Sequence, residues 1–268
     1  QYKQDSSGLN FSRFWIDKLS RPSHHYAVDN CKTSGVLKLK LISQISIVLS
    51  MLSPNQILYE DNHLLVVNKP ADVVTQGAHP DQLSLGHLAK QYIKTKHNKP
   101  GNVYLGIVSR LDKLTTGVIV LARTSKAAAR LTQAFQKRDV KKTYQALIEK
   151  TNIPNQKTLT DFVRKNDPSR KMEICNKNAS DAQNAVLHFQ LQEHYESVSL
   201  LKINLETGRK HQIRLQLSHF GCPILGDRKY GSAIKFTKGI ALHSASLAFT
   251  HPTTKEELTF HAPIPSEW

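Results

Sequence analysis

The sequence predicts an α+β fold with a mixed, mostly antiparallel sheet and flanking helices. Two observations predict it: strand-like segments outnumber segments with helical spacing of apolar residues, and short turns separate several neighbouring strands. Hydrophobic residues make up 39% of the 268 residues and charged residues 22%. These proportions are typical of a globular chain with a sizeable core, and they exclude collagen-like, mucin-like and wholly disordered proteins.

The regular pattern starts near residue 57. Its first half is predicted as two strands over 57–69 with a turn at 60–62, a helix over 83–96, a buried strand over 118–122, and a helix over 126–138 capped by Ser125. Residues 150–182 are polar and contain Pro154 and Asp167-Pro168, so we expect them to be rich in loops. The remaining elements are predicted as a strand over 142–149, a hairpin of strands over 185–191 and 198–205, a helix over 211–219 ended by Gly221, and strands over 240–249 and 257–261.

The first part of the chain has a different texture. Residues 1–53 show no clear periodicity, and we expect an extension of unknown structure ahead of one domain over 54–268. Disorder or absence from the natural protein would both explain this texture, and Met51 is a candidate natural start. The longest apolar run, residues 36–52, is interrupted by lysines and falls short of the roughly 18–20 apolar residues that span a bilayer. We therefore expect no membrane segment.

The charge and the cysteines suggest a partner and a compartment. Lys and Arg number 37 against 21 Asp and Glu, which gives a net charge of +16. A polyanion, above all nucleic acid, is the leading partner for such a chain, and a solvated basic surface is the alternative. The three cysteines lack CxxC spacing, so we expect no disulfide framework, no thiolate zinc site and a reducing, cytoplasmic location; they are Cys31, Cys175 and Cys222.

Residues 109–117, SRLDKLTTG, place an acid among cations. Asp112 lies between Arg110 and Lys113 in a loop that leads into the apolar strand. Neighbouring cations favour the ionised carboxylate, which is the form that acts as a nucleophile or base. The alternative is a turn aspartate that hydrogen-bonds to its own backbone before the strand.

Residues 207–214, TGRKHQIR, concentrate basic groups at the predicted start of a helix. A helix N-terminus with adjacent cations binds anions, and His211 and Arg214 share a face three residues apart. Phosphate contact or pairing with a buried carboxylate is one interpretation, and a solvated charge run is the other. The glycine-rich segment 221–231 is predicted to be a structural loop, with the shaping of a cleft as a secondary role.

Tyr144 lies on the predicted strand 142–149, on one face with Ala146 and Ile148. A strand tyrosine is most often part of the core. The functional alternative is a stacking surface for a flipped nucleobase.

Taken together and in this order, these segments resemble the RluA family of pseudouridine synthases. The resemblance covers about residues 57–265. The family's HRLD-x-x-TSG corresponds to SRLDKLTTG, its K-x-Y-x-A to residues 142–146, its TGR-x-HQIR to 207–214, and its G-x-PI-x-GD-x-x-YG to 221–231, with shorter matches at 67–71, 242–244 and 249–252.

The resemblance implies the pseudouridine synthase catalytic fold with a central cleft, and isomerisation of uridine to pseudouridine in RNA without a cofactor or a metal. Asp112 would be the catalytic nucleophile, which attacks ribose C1′ or assists formation of a glycal. Tyr144 would stack on the flipped uracil and help to remove the C5 proton. Arg214 would pair with Asp112, with Arg209 as the rival. The residues expected to contact RNA are Arg110, which would enter the base stack, and Lys113, Arg209, Lys210 and His211.

The implied partner is a ribosomal or transfer RNA stem-loop, and we expect a monomer. Two positions depart from the family pattern: Ser109 replaces a histidine, and Asp72 replaces a glycine. We expect these to alter loop packing or RNA contact while catalysis is retained. The alternative function is a catalytically inactive RNA-binding or RNA-folding protein of the same fold. A metal-dependent nuclease is disfavoured because no cluster of carboxylates accompanies the cations.

Overall fold

One sheet organises the residues that the computed structural model describes, which are 52–77, 83–149, 152–169, 171–266 and 268. In chain order its strands are β1 (Ile57–Glu60), β2 (Leu64–Lys69), β3 (Gly106–Ile107), β4 (Thr116–Ala122), β5 (Lys141–Ile148), β6 (Gln156–Asn166), β7 (Lys171–Cys175), β8 (Gln183–His194), β9 (Ser199–Leu205), β10 (Leu242–Thr250) and β11 (Glu257–His261). Across the sheet they follow the order β1-β2-β4-β10-β5-β9-β8-β6-β7, with β3 beside β4 and β11 beside β10.

Three α-helices flank the sheet in the described part of the chain: α1 (Leu85–Lys96), α2 (Ser125–Lys137) and α3 (Gln212–His219). The first two begin at residues whose side-chain oxygen accepts a hydrogen bond from a backbone N–H of the first turn. Ser84 caps α1 by accepting from His87, and Thr124 caps α2 by accepting from Ala127. Short 3₁₀ turns occupy Pro54–Gln56 and Arg228–Tyr230.

The sheet is mixed because β4 and β10 run parallel, whereas the other strand pairs of the described residues are antiparallel. Gly117 of β4 pairs there with Ser244 of β10 and has φ 109°. A Cβ on Gly117 would overlap the backbone of Ser244. Only glycine therefore allows the two strands to meet at this point.

The core lies on both faces of the strands around β2 and β4. One face of β2 packs with α2 and the other with α1, so β2 reads as a continuous apolar run without alternation. Helix α3 packs through Ile213 and Leu217 against β5, β8 and β9. This arrangement brings the loop before β4 and the start of α3 to the same part of the sheet.

The structure confirms the α+β class and the mixed, mostly antiparallel sheet, and it confirms the predicted hairpin as β8 and β9. The second helix begins one residue earlier than predicted, with Thr124 as its cap in place of Ser125. The prediction of a loop-rich segment over 150–182 was wrong, because β6 and β7 form a hairpin there. Leu159 and Val163 are the buried residues of β6, too few to reveal a strand by alternation among exposed polar neighbours.

The predicted extension, residues 1–53, lies almost wholly outside the described residues, as does Met51. In the part of the chain that the structure describes, no helix combines the length and the hydropathy needed to cross a membrane.

Candidate active site

Asp112 lies in the loop between β3 and β4, and two buried side chains hold the residues on either side of it. Thr75 Oγ1 donates to the carbonyl oxygen of Leu111 at 2.8 Å and accepts from the Leu111 N–H at 3.1 Å. Lys69 Nζ donates to the carbonyl oxygen of Lys113 at 3.2 Å. Lys69 is the last residue of β2 and Thr75 lies in the segment that follows, so this part of the chain fixes both ends of the loop that carries the Asp112 carboxylate.

Lys69 also closes the turn that follows β2. Its ammonium donates to the carbonyl oxygens of Pro70 and Val73, each at 2.8 Å. Burial lowers the pKa of Lys69 to about 7, and the charges of Asp112 and Asp72 oppose that shift. Asp72, at the position where the family motif has glycine, adopts a left-handed φ of 65°. Aspartate is among the few side chains that tolerate this conformation, so the turn is kept without the glycine.

Arg214 joins the Asp112 carboxylate to a second aspartate. Its Nη1 donates to Asp112 Oδ2 at 3.0 Å, while Nε and Nη2 donate to the two carboxylate oxygens of Asp227 at 2.6 and 2.8 Å. Burial alone would lower the pKa of Arg214, but the hydrogen bonds and charge of Asp227, followed by those of Asp112, raise it above its ordinary value. The guanidinium is thus a permanent cation whose Nη1 faces Asp112.

The start of α3 is held by a chain of buried amides. Gln212 Oε1 accepts from Thr207 Oγ1 at 2.8 Å and from the Arg209 backbone N–H at 2.9 Å. Its Nε2 donates to the carbonyl oxygen of Val186 on β8 and to Gln216 Oε1. These bonds fix the first turn of α3 against the sheet. Arg214 lies in that turn, so the same bonds place its guanidinium beside Asp112.

Tyr144 lies on β5, half-buried, and lines the cleft beside this site. Burial and then the negative charge of Asp112 raise the pKa of Tyr144 to about 12, against a smaller lowering by a hydrogen bond with Ser244. The phenol is therefore protonated at neutral pH. Ser244 belongs to β10, which pairs with β5 at Tyr144 and with β4 at Gly117.

A cleft of about 510 Å³ opens next to Tyr144. Its walls combine the Ser109–Leu111 segment with the end of α2, the beginning of β5 and the loop after β9. Four cations line it: Arg110, Arg138, Lys142 and Arg209. The shape and charge fit an unpaired nucleotide with its phosphates.

The structure brings together most of the residues that the sequence singled out. Arg110 and Arg209 line the cleft. Arg209 Nε donates to the carbonyl oxygen of Asn184, and the side chain does not reach Asp112. Lys113 and Lys210 are exposed neighbours of the site. His211 differs from these cations: its side chain is 11% exposed, and its Nε2 lies 3.7 Å from Asp112 Oδ1.

Several residues of the site were not assigned a site role from the sequence, among them Lys69, Thr75, Arg138, Asp227 and Tyr230. Asp227 and Tyr230 lie in the glycine-rich segment that was predicted to be structural. An acid and an aromatic residue at fixed spacing within that segment are the signal that could have pointed to them. Among the described residues, no three His, Cys, Asp or Glu side chains gather as metal ligands would.

Comparison with known proteins relates this chain to RNA-modifying enzymes. The family described as RNA pseudouridylate synthase matches residues 63–219. The chain is 36% identical over 230 residues to the ribosomal large subunit pseudouridine synthase D of Vibrio cholerae, covering 80% of this chain and 68% of that protein. It is 34% identical to the protein of the same name from Xanthomonas campestris, covering 80% of this chain and 67% of the relative.

Solved structures give the same relationship. Human RNA pseudouridylate synthase domain containing 4 superposes with a TM-score of 0.66 at 26% identity, covering 86% of this chain and 94% of that one. Human RNA pseudouridylate synthase domain containing 1 superposes with a TM-score of 0.63 at 25% identity, covering 78% and 82%.

Proposed function

The chain belongs to the RluA family of pseudouridine synthases, isomerases that convert uridine in RNA to pseudouridine, and we propose that its substrate is large-subunit ribosomal RNA. The bacterial relatives named above are designated for the large ribosomal subunit, which supports this RNA over transfer RNA. A cytoplasmic monomer is the form in which we propose that it acts.

Asp112 is the proposed catalytic residue, and one observation carries the proposal: its carboxylate meets the buried Arg214 guanidinium beside a cationic cleft that contains a tyrosine. Asp112 either attacks ribose C1′ or assists formation of a glycal while the bond from N1 to C1′ breaks. The uracil then rotates, and C5 bonds to C1′ as the bond between Asp112 and C1′ breaks or, on the glycal route, as the C2′ proton that Asp112 had taken returns to the ribose. The C5 proton is lost and N1 gains one, so atoms and charge balance without an oxidant or reductant.

Tyr144 is proposed to stack on the flipped uracil and to take part in removal of the C5 proton. Its ring forms one wall of the cleft on the rigid strand β5. A phenol with a pKa of about 12 is ionised in only about 1 in 10⁵ molecules at pH 7. We therefore assign the proton transfer to the neutral hydroxyl, which can accept a proton only as it gives up its own.

The cations around the site are proposed to hold the RNA backbone. Arg110 is exposed at the entrance to the cleft, where it would fill the space that the flipped uridine leaves in the base stack. Arg209, Lys113 and Lys210 would contact phosphates. Such contacts position the RNA without selecting its sequence.

The test is a tritium-release assay with 5-tritiated large-subunit ribosomal RNA, small-subunit ribosomal RNA and transfer RNA, because pseudouridine formation expels the C5 hydrogen. We expect release from the large-subunit RNA by the wild type, none by Asp112→Ala, and normal release by the matched surface variant Asp181→Asn. Binding of RNA by Asp112→Ala should be retained.

Each other outcome is decisive. Release by Asp112→Ala would refute its catalytic role. Release from transfer RNA alone would refute the proposed substrate. RNA binding by the wild type with no release from any of the three RNAs would favour the alternative, an inactive RNA-binding protein of this fold.

A further inference from the structure

His211 occupies an unusual position between the glycine-rich segment and Asp112. It precedes α3 in a left-handed conformation, with φ 53°, and its side chain makes no capping hydrogen bond to the helix. The ring lies between two groups: Nδ1 is 2.8 Å from the hydroxyl of Tyr230, and Nε2 is 3.7 Å from Asp112 Oδ1. The imidazole therefore lies between the Tyr230 hydroxyl and the Asp112 carboxylate.

The hydrogen bonds around Tyr230 determine which nitrogen of His211 carries the proton. The Met172 backbone N–H donates to the Tyr230 hydroxyl oxygen at 3.1 Å. Among the described residues, the hydroxyl hydrogen then has Nδ1 of His211 as its acceptor. A neutral imidazole that accepts at Nδ1 carries its hydrogen on Nε2, the nitrogen that faces Asp112.

Burial, assisted by neighbouring cations, keeps the ring neutral. Burial, and to a smaller extent the charges of Arg214, Lys210 and Lys229, lower the pKa of His211 to about 4, against the opposing attraction of Asp112. At neutral pH the ring is therefore a donor without a positive charge.

We propose that His211 is a positioning residue for Asp112, held by Tyr230 as the Nε2–H tautomer and donating to Oδ1 while Arg214 donates to Oδ2. This role rests on the proposed function of Asp112 and replaces RNA contact for His211. The present separation of 3.7 Å is longer than a hydrogen bond, and the proposal requires it to shorten in the complex with RNA, as catalytic hydrogen bonds that are long without substrate often do. A neutral imidazole orients Oδ1 of Asp112 through a hydrogen bond. It adds no full positive charge, which would make the carboxylate a weaker nucleophile.

Tyr230 holds both partners of Asp112. Its hydroxyl bonds to His211, and its ring lies 5.0 Å from Arg214 Cζ in a cation–π contact. Tyr230 is itself buried, and Ser218 Oγ donates to its carbonyl oxygen at 2.5 Å. The two donors to the carboxylate thus share one rigid support.

The first experiment compares His211→Gln with His211→Asn. Glutamine places an amide donor near the position of Nε2, whereas asparagine places it near Nδ1. Asparagine in turn is better suited to a left-handed backbone. We expect kcat for pseudouridine formation to fall roughly 10- to 100-fold in His211→Asn and His211→Ala. His211→Gln should stay within severalfold of the wild type, and RNA affinity should be unchanged in all three.

A higher kcat in His211→Asn than in His211→Gln would overturn the proposal. It would show that His211 serves only to maintain the left-handed backbone conformation. Weaker RNA binding with an unchanged kcat would overturn it in favour of RNA contact.

The second experiment does not require activity. ¹⁵N spectra of the imidazole at pH 7, assigned by comparison with His211→Gln, should show the Nε2–H tautomer in the wild type. In Tyr230→Phe, which retains the ring under Arg214, this preference should be lost and the protonation midpoint should rise. The matched control is Tyr92→Phe, which removes a hydroxyl that donates to Glu60 in the wild type.

An Nδ1–H tautomer or a cationic ring in the wild type would refute the proposal. If the wild type releases no tritium from any RNA, the proposed function fails, and these spectra still decide whether the tautomer is held as inferred.

Discussion

Asp227 accepts two hydrogen bonds from the guanidinium of Arg214 in a pair whose side chains are 1% and 4% exposed. The bidentate contact takes Nε and Nη2 and leaves Nη1 directed at Asp112. Asp227 therefore sets the direction from which Arg214 holds the Asp112 carboxylate, although Asp227 makes no contact with that carboxylate.

Asp227→Asn is expected to lower both activity and stability. Asparagine retains one acceptor but leaves the buried guanidinium without its counter-charge, and breaking such a pair costs about 3–5 kcal/mol. We expect the free energy of unfolding, measured in urea, to fall by about 3 kcal/mol, the lower limit of that range. We expect kcat to fall at least tenfold. Asp167→Asn, at an exposed ion pair, is the control. An unchanged kcat in a folded Asp227→Asn protein would contradict the orienting role.

Tyr144→Phe and Tyr144→Leu separate the two proposed uses of the tyrosine. Phenylalanine keeps the stacking ring and loses the hydroxyl, so tritium release should fall by two orders of magnitude or more while RNA affinity is retained. Leucine should also weaken RNA binding by roughly 1–3 kcal/mol because the stack is lost. Full tritium release by Tyr144→Phe would remove the hydroxyl from the mechanism.

Arg110→Ala is expected to weaken RNA binding and to reduce its dependence on salt. Removal of one cation that contacts a phosphate should reduce the magnitude of the slope of log K against log salt concentration by about one. Filter binding between low and physiological salt measures both quantities. Lys94→Ala removes an equal charge from an exposed position on α1 and should leave the slope unchanged. Equal slopes for both variants would exclude a phosphate contact of Arg110, and equal RNA affinities as well would exclude Arg110 from the RNA interface.

Glu60 is expected to make the fold sensitive to acid. Burial would raise its pKa, but hydrogen bonds from His97, Lys96 and Tyr92 and the charge of Arg123 lower it from 4.5 to about 2. Since the folded state holds the proton more weakly, the contribution of Glu60 is complete above pH 4.5 and is lost as the pH falls towards 2. The loss amounts to at most about 3 kcal/mol, because solvent screens the exposed partners Lys96 and His97.

Urea unfolding at pH 2.5–6 measures this contribution. Glu60→Gln should be less stable than the wild type at pH 6 and should lose less stability on acidification. The exposed variant Glu257→Gln should follow the wild type. Parallel curves for wild type and Glu60→Gln would refute the assignment.

Local patterns predicted the elements that carry the site, while the contacts that complete it depend on the tertiary structure. Alternation identified the strand of Tyr144, and helical spacing identified the helix of Arg214. The choice between Arg209 and Arg214 depends on the path of α3 relative to a loop 102 residues away in the chain. The spacing of apolar residues predicts local elements but not that path. For the same reason it does not predict the contact of Lys69 with a carbonyl oxygen 44 residues away. The β6–β7 hairpin was missed because its outward faces are polar.

The position of β10 determines how the two parts of the site are joined. The strand after Asp112 and the strand of Tyr144 have no ladder with each other; both pair with β10, which lies between them. Without residues 242–250, the two halves of the sheet would each expose an open edge, and the ladder that holds Tyr144 near the loop of Asp112 would be missing. The two parts of the site are therefore joined only when β10 is in place, and we expect a chain that lacks β10 to be inactive although Asp112, Tyr144 and Arg214 are all present.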